Sequence, residues 1–551
     1  MKIRLFLTFT GVFLTALFLA SCSKQEGSNS LKKASTAPNE FVWNNGAEPE
    51  TLDPHRMSAH DAAQHAQQLY EGLLTRDRDF VGVIPGLASE WNLSKDGKTY
   101  SFKLRPDLKW SNGDALTMAQ VRDSFFRSME PEVANPYVYW FTDYIVGAKE
   151  YVEALGAGEL TPEKKAQLQS KVGINLSSPN SLEIKLKKPA AHFKYFLSQP
   201  PFFVVHPSMY DPDAAAWRDP KNFVSNGAYN LNEWSVNKRI VMTKNPLYHD
   251  AKTASIERLV AYPIVDQSVT YNMYNSGDLD WTGENSISPT LVASLTGRED
   301  FHNMPILGTY MYIFNTKRKP FDDVRVRKAL SLVIEPEHIT DRVLRAGMIP
   351  TNKVVPPVIP NYSSLIPPME ASIEERVAEA KKLLAEAGYP DGKGFPSVSI
   401  RYNTNESHHK IAQAIQQMWK NRLGLDIKLE NMEWKVYLKE QQEGNYDISR
   451  YGWIGDYPDP STFLEIFMTG NDNNRTGWSN KDFDQLVLSS MAIADDKKRF
   501  DLQSKAEKMV HDDYPFFGVY HYNYYSLMRP NIEGWEPNMF GHYSMKYLKK
   551  N

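Results

Sequence analysis

Between Tyr100 and Arg105 apolar and polar residues alternate, Tyr100, Phe102 and Leu104 against Ser101, Lys103 and Arg105. That period of two predicts a strand with one buried face over Tyr100–Lys109. The run Trp110-Ser111-Asn112-Gly113-Asp114 then predicts a turn. Further on the period changes. Ser372 and Glu375 form a capping box, Val377, Ala380, Leu384 and Ala387 fall at helical spacing, and Gly388 supplies a stop. Val398, Ile400 and Tyr402 alternate again, Ile411, Ile415, Met418 and Trp419 share one helix face, and Ile427 and Leu429 alternate after Gly424. Strand, helix, strand in that order predicts a parallel β-α-β unit with a right-handed crossover. The pattern is that of a mixed α/β protein with more than one lobe and no repeat at solenoid period.

The chain has 551 residues, enough for several domains, with 42% hydrophobic and 23% charged residues. A net charge of −3 gives no basic field for nucleic acid, and none is expected as a partner. With one cysteine there is no intramolecular disulfide and no Cys-based metal centre. That cysteine is informative by its place. Lys2 and Arg4 precede an apolar stretch from Leu5 to Leu19, which is too short for a membrane span and suits a signal peptide. The stretch ends in Leu19-Ala20-Ser21-Cys22, which resembles a lipobox, so residues 1–21 are expected to be removed and Cys22 to carry the lipid. Residues 22–40 are polar and read as a flexible tether with a reach of about 25 Å. The body is therefore expected outside the cytoplasm, lipid-anchored at a bilayer surface, in a bacterial periplasm or at the cell surface.

The search for chemistry returns little. There is no His-Glu-x-x-His, Gly-x-Ser-x-Gly or phosphate-binding Gly-Lys-Ser/Thr motif. His55, His60 and His65 recur every five residues, a spacing that does not share a helix face, and they read as solvated or cleft-edge side chains. His408-His409 point in different directions. No cofactor, metal or catalytic residue is expected, and a binding protein is favoured over an enzyme.

Several collinear segments carry a resemblance. They include Gly46-Ala47-Glu48-Pro49-Glu50-Thr51-Leu52-Asp53-Pro54, Tyr70-Glu71-Gly72-Leu73-Leu74, Lys109-Trp110-Ser111-Asn112-Gly113-Asp114, Asn226-Gly227-Ala228-Tyr229 and Lys319-Pro320-Phe321-Asp322. Together they resemble the extracytoplasmic peptide-binding receptors of ABC importers, family 5, in their oligopeptide branch. The resemblance implies a two-lobed periplasmic-binding-protein clamp of type II (cluster C) with an accessory domain. Lobe I would comprise 41–70, 195–307 and 521–551, the accessory domain 71–194, and lobe II 308–520. It implies an oligopeptide held between the lobes, permease and ATPase subunits as partners, and a monomeric receptor.

The resemblance also carries over a site. Arg450-Tyr451-Gly452-Trp453-Ile454-Gly455-Asp456-Tyr457 matches the central ligand segment. Asp456 falls where a carboxylate pairs with the ligand's α-ammonium, and main-chain groups of Trp453, Ile454 and Gly455 would bond the peptide as an added strand. Ser58, Ala59 and His60 match the segment on the peptide's other side. Trp453, Trp434 and Tyr137 match aromatic pocket walls, and Arg450 and His408 match basic positions near the ligand's carboxylate. Two positions depart from the pattern: Gln441 stands where Arg is usual, and Leu344, beside Arg345, where a Lys serves long ligands. Two other readings remain open. One keeps the fold with a different ligand, a murein peptide, an antimicrobial peptide or haem, the last on account of His55, His60 and His408. The other is a surface hydrolase or adhesin.

Overall fold

A computed structural model describes residues 39–551 except 58, 159, 214 and 472, together with no side-chain position for His60, Trp434 or Lys435. The expected signal peptide, nearly all of the expected tether, Cys22 and Ser58 lie outside the described residues. Among those described, no helix is long and apolar enough to cross a membrane.

Three larger sheets organise the chain. The first orders its strands Glu40–Asn44, Arg258–Tyr262, Arg239–Lys244 and Tyr229–Ser235, the first pair parallel and the others antiparallel. The second is antiparallel and orders Ala88–Leu93, Thr99–Leu104, Ser181–Lys185 and Ile174–Ser178. In it Tyr100, Phe102 and Leu104 are buried, as their alternation predicts. The strand stops at Leu104, short of the predicted Lys109, because Pro106 follows and Asp107 takes a positive φ of 57°. The turn at Trp110 forms, with Gly113 N–H donating to the Trp110 carbonyl.

The third sheet has six strands, in the order Ile349–Pro350, Phe516–Leu527, Phe301–Phe314, Ile448–Ile454, Ser399–Asn403 and Lys428–Met432. The predicted β-α-β unit is its edge. Ser399–Asn403 pairs parallel with Lys428–Met432, and helix Glu406–Leu423 connects them. That helix ends at Gly424, whose φ of 72° is a conformation glycine adopts without the usual Cβ cost. Helix Ile373–Glu386 starts on the predicted Ser372/Glu375 capping box. Both faces of this sheet are covered. Tyr310, Tyr312 and Phe314 pack with Ile415 and Trp419 on one side. Met311 and Ile313 pack with Phe463, Phe483 and Phe500 on the other. A strand buried on both faces reads as a continuous apolar run, as Met311–Phe314 does.

Two long strands tie the sheets together. Phe301–Phe314 and Phe516–Leu527 pair antiparallel along most of their length, with a register break between Pro305 and Thr309. On one side of that break Phe301, Tyr525 and Leu527 pack with Val42 and Val260 of the first sheet. On the other side the same ribbon forms the centre of the six-stranded sheet. The first and second sheets share one apolar core, in which Phe41 and Trp43 are continuous with Tyr100 and Phe102.

The segments behind the resemblance turn out to be packing junctions. Asn226 accepts from Glu71 N–H at 3.0 Å and donates to the Glu71 carbonyl at 3.2 Å. A Cβ on Gly227 would sit 2.4 Å from the Gln68 carbonyl, so only glycine fits there. The histidine reading needs correcting. His55 and His65 are buried, not solvated or at a cleft edge. His55 Nε2 lies 2.9 Å from the Phe203 carbonyl and its Nδ1 2.9 Å from Arg127, which also grips the buried Asp53 at 2.6 Å. Burial lowers the pKa of His55 to about 4 and that of His65 to about 3, so both are neutral core groups.

Candidate functional site

Strand Ile448–Ile454 pairs antiparallel with residues 308–314, from Ile454 opposite Gly308 to Ile448 opposite Phe314. On its other edge the parallel pairing with Ser399–Asn403 reaches only Ile448 and Ser449. Tyr451 to Ile454 therefore have a strand neighbour on one side and an open edge on the other. Side chains alternate along it. Ile454 is 51% exposed and opens onto one cavity, while Trp453 opens onto another. Gly455 N–H donates to the Leu307 carbonyl at 2.7 Å, and Asp456 N–H donates to Thr462 Oγ1 at 3.2 Å, which turns the chain out of the sheet.

Asp456 stands where the two cavities meet. The smaller, of about 200 Å³, is bounded by Ala59, Tyr137, Trp140, Ile454 and Gly455. The larger, of about 730 Å³, lies between Tyr139, Trp140 and Tyr144 on one wall and Trp453, Tyr457 and Glu465 on the other. Among the described residues no cation or hydrogen-bond donor reaches the Asp456 carboxylate. Burial alone raises its pKa from 3.8 to about 6. Glu465 donates nothing and accepts one bond, from the Tyr457 hydroxyl at 2.9 Å. Burial, with the charges of Asp459 and Asp456 adding to it, raises its pKa to about 7.

The loop beneath is firmly built. Asp459 is fully buried and accepts from Ser461 N–H and Oγ, from Gln503 Nε2 at 2.8 Å and from Arg499 Nε at 2.7 Å. Tyr457 stacks on the His192 ring with centroids 4.7 Å apart, which seats the loop against the neighbouring core.

A second polar cluster surrounds Arg450 at the other end of the strand. Its guanidinium lies 4.9 Å over the Tyr310 ring and donates to the Tyr522 hydroxyl at 2.9 Å. The neighbouring tyrosines raise its pKa although burial opposes them, and Arg450 Nε has no hydrogen-bond partner among the described residues. No carboxylate pairs with it among those residues either. His408 Nδ1 lies 3.2 Å from the Tyr310 hydroxyl. Burial and the Arg450 charge lower its pKa to about 3, so His408 is neutral, and among the described residues only Arg450 brings positive charge to the cluster. Gln441 is buried and its amide nitrogen lies 2.9 Å from the Tyr437 and Ser449 hydroxyls and 3.0 Å from the Arg450 carbonyl. It fixes the strand without adding charge. Leu344 packs against the core beside an exposed Arg345.

The structure thus gathers Ala59, Tyr137, Trp453, Ile454, Gly455 and Asp456 around adjoining cavities and sets Arg450 with His408 apart from them. His60 and Trp434 have described backbones only, at the first residues of helices His60–Leu69 and Trp434–Gln442. Trp140, Tyr144 and Glu465 went unread in the sequence. The aromatic run from Tyr137 to Tyr144 was a usable signal for the first two. Glu465, between Leu464 and Ile466 in a short helical stretch, offered none.

Comparison with known proteins follows from this geometry. Residues 82–475 match the model described as bacterial extracellular solute-binding proteins, family 5 middle. The chain is 33% identical to the periplasmic oligopeptide-binding protein OppA of Escherichia coli (strain K12), over 90% of this chain and 89% of that one. The fold superposes on the periplasmic murein tripeptide binding protein MppA in its unliganded open form with a TM-score of 0.82 at 29% identity, covering 94% of this chain and 98% of that one. It superposes on Haemophilus influenzae OppA in complex with RPPGFSPFR with a TM-score of 0.70 at 31% identity, covering 93% and 99%.

Proposed function

The chain belongs to family 5 of the bacterial extracellular solute-binding proteins, and from that premise we propose that it captures oligopeptides between two lobes and delivers them to an ABC importer. One observation carries the ligand class. An unpaired carboxylate, Asp456, and an unpaired guanidinium, Arg450, stand six residues apart at the two ends of an open strand edge. Because the chain turns after Ile454, that separation is at most about 20 Å, room for a peptide of up to about six residues. A peptide laid antiparallel along the edge brings an α-ammonium to one end and a carboxylate to the other. Between them, main-chain bonds are blind to side chains, so many sequences can bind.

The lobes in this reading have the boundaries given above, with the register break between Pro305 and Thr309 in the connecting ribbon as the hinge. The larger TM-score against the unliganded open form than against a peptide complex supports an open arrangement. The receptor hydrolyses nothing, works as a monomer, is anchored through lipid on Cys22, and passes ligand to two permease and two ATPase subunits. Of the histidines that would favour haem, His55 is committed to Phe203 and Arg127 and His408 to Tyr310.

The body from Ser23 to Asn551, purified natively from bacteria and then denatured, is expected to release a mixture of short peptides detectable by mass spectrometry. A single porphyrin or other non-peptide mass would overturn the proposal. A second measurement addresses the carboxylate end. Arg450→Met is expected to weaken binding of a hexapeptide free acid by about tenfold or more and to change binding of its C-terminal amide far less. Equal losses for acid and amide would show that Arg450 does not meet the ligand's carboxylate.

A further inference from the structure

The larger cavity beside Asp456 has a charge pattern that the binding of an α-ammonium does not require. Asp143, Asp456 and Glu465 all border it, and among the described residues no lysine or arginine does. His192, behind Tyr144 and Tyr457, is held neutral by burial. The three carboxyl groups are close enough to act on one hydroxyl, that of Tyr144, whose proton they and burial hold firmly. Asp456 is desolvated and unpartnered, and Glu465 keeps one oxygen free of its bond to Tyr457. The rings of Tyr139, Trp140, Tyr144 and Trp453 also line it, with Ile466 and the uncharged polar side chains of Asn471 and Asn473.

One α-ammonium would neutralise Asp456 and leave Glu465 and Asp143 uncompensated. Closing the lobes over an apolar side chain would then take water from the exposed Asp143 and leave the already buried Glu465 with only its bond from Tyr457. An anionic side chain would meet like charges. A cationic side chain would meet carboxylates and, with them, aromatic faces that attract cations. The volume, about 730 Å³, leaves room for a long side chain with some of its water.

We propose that this cavity is a subsite for a cationic side chain, lysine or arginine, on the ligand's first or second residue, next to the α-ammonium at Asp456. The proposal rests on the peptide-receptor reading and adds a preference within it.

The test is calorimetry with alanine hexapeptides that carry either lysine or its uncharged isostere norleucine at position 1 or at position 2. The lysine peptide is expected to bind about tenfold or more tightly than the norleucine peptide at one of the two positions. Glu465→Gln is expected to pull that ratio towards one. Asp143→Asn, at an exposed residue whose replacement disturbs no core, should lower the same ratio. A wild-type ratio near one at both positions would overturn the subsite and leave the peptide receptor standing. So would a ratio that neither substitution changes. If none of the hexapeptides binds, the receptor reading itself falls, and the subsite with it.

Discussion

Asp456→Asn is expected to weaken peptide binding by about 2–5 kcal/mol and, at pH 8, to raise the melting temperature of the ligand-free protein. The two effects share one cause. In the free protein the carboxylate is desolvated and has no partner among the described residues, so burial raises its pKa from 3.8 to about 6. The unfolded chain gives up this proton more readily than the folded one. The penalty on folding is therefore absent below about pH 4, grows as pH rises, and is complete above about pH 6 to 7. Its size is about 1–3 kcal/mol at the rate of roughly 1.4 kcal/mol per pKa unit. Asparagine removes the charge and keeps the shape, and the Asp456 N–H bond to Thr462 that turns the loop stays in place. A bound α-ammonium reverses the balance, because it meets a charge that nothing else neutralises. Peptide affinity of the wild type should accordingly fall as pH is lowered from 8 to 5, while the Asn variant binds weakly and loses much less over that range, the remainder coming from Glu465. Calorimetry across pH checks the first part and thermal melting the second. A variant that binds as well as the wild type, or that melts lower at pH 8, would remove Asp456 from the site.

The sequence revealed elements more readily than the site, and the reason is range. The strand at Thr99–Leu104, the capping box at Ser372 and the β-α-β unit from Ser399 to Met432 each follow from neighbours within a few residues of one another. The cavity at Asp456 joins a wall from around residue 140 to one from around residue 460, and no local period records that meeting. His55 shows the same limit in reverse. Its spacing from His60 and His65 suggested a solvated position, but its environment is set by Arg127 and Phe203, far away in the chain. Gln441 was legible only as a missing cation. Its role, bonding to Tyr437, Ser449 and the Arg450 carbonyl and so holding strand Ile448–Ile454, required the folded geometry. The resemblance supplied positions for the ligand segment without their electrostatics. That His408 is neutral and that Glu465 joins Asp456 are consequences of burial, which a sequence match does not carry.

Asp459→Ala is expected to destabilise the protein by about 3–5 kcal/mol, because it leaves the fully buried Arg499 without its main partner. Asp459 lies three positions after Asp456, yet their surroundings are opposite. Burial would raise the Asp459 pKa too, but Arg499 and the bonds from Ser461 outweigh it and hold the group below its ordinary value. Asp459 therefore stabilises the fold above the carboxylate range and loses that contribution as pH falls through its lowered pKa, whereas Asp456 costs stability as pH rises. Arg499 also holds Asp496 and the Ile493 carbonyl, so the pair clamps the loop after strand Ile448–Ile454 to helix Asp496–Asp512. Urea unfolding of the ligand-free protein should show the loss for Asp459→Ala and a smaller one for Asp459→Ala with Arg499→Met, since the double change leaves no buried charge unpaired. A single variant within about 1 kcal/mol of wild type would mean that the clamp carries little energy. Of two neighbouring carboxylates, one is satisfied by the protein, which makes the loop rigid, and the other has no partner among the described residues and, under the proposed function, is completed by the ligand. A rigid loop keeps Asp456 from relaxing towards a partner of its own, and in the proposed receptor that restraint would preserve affinity for an arriving ammonium.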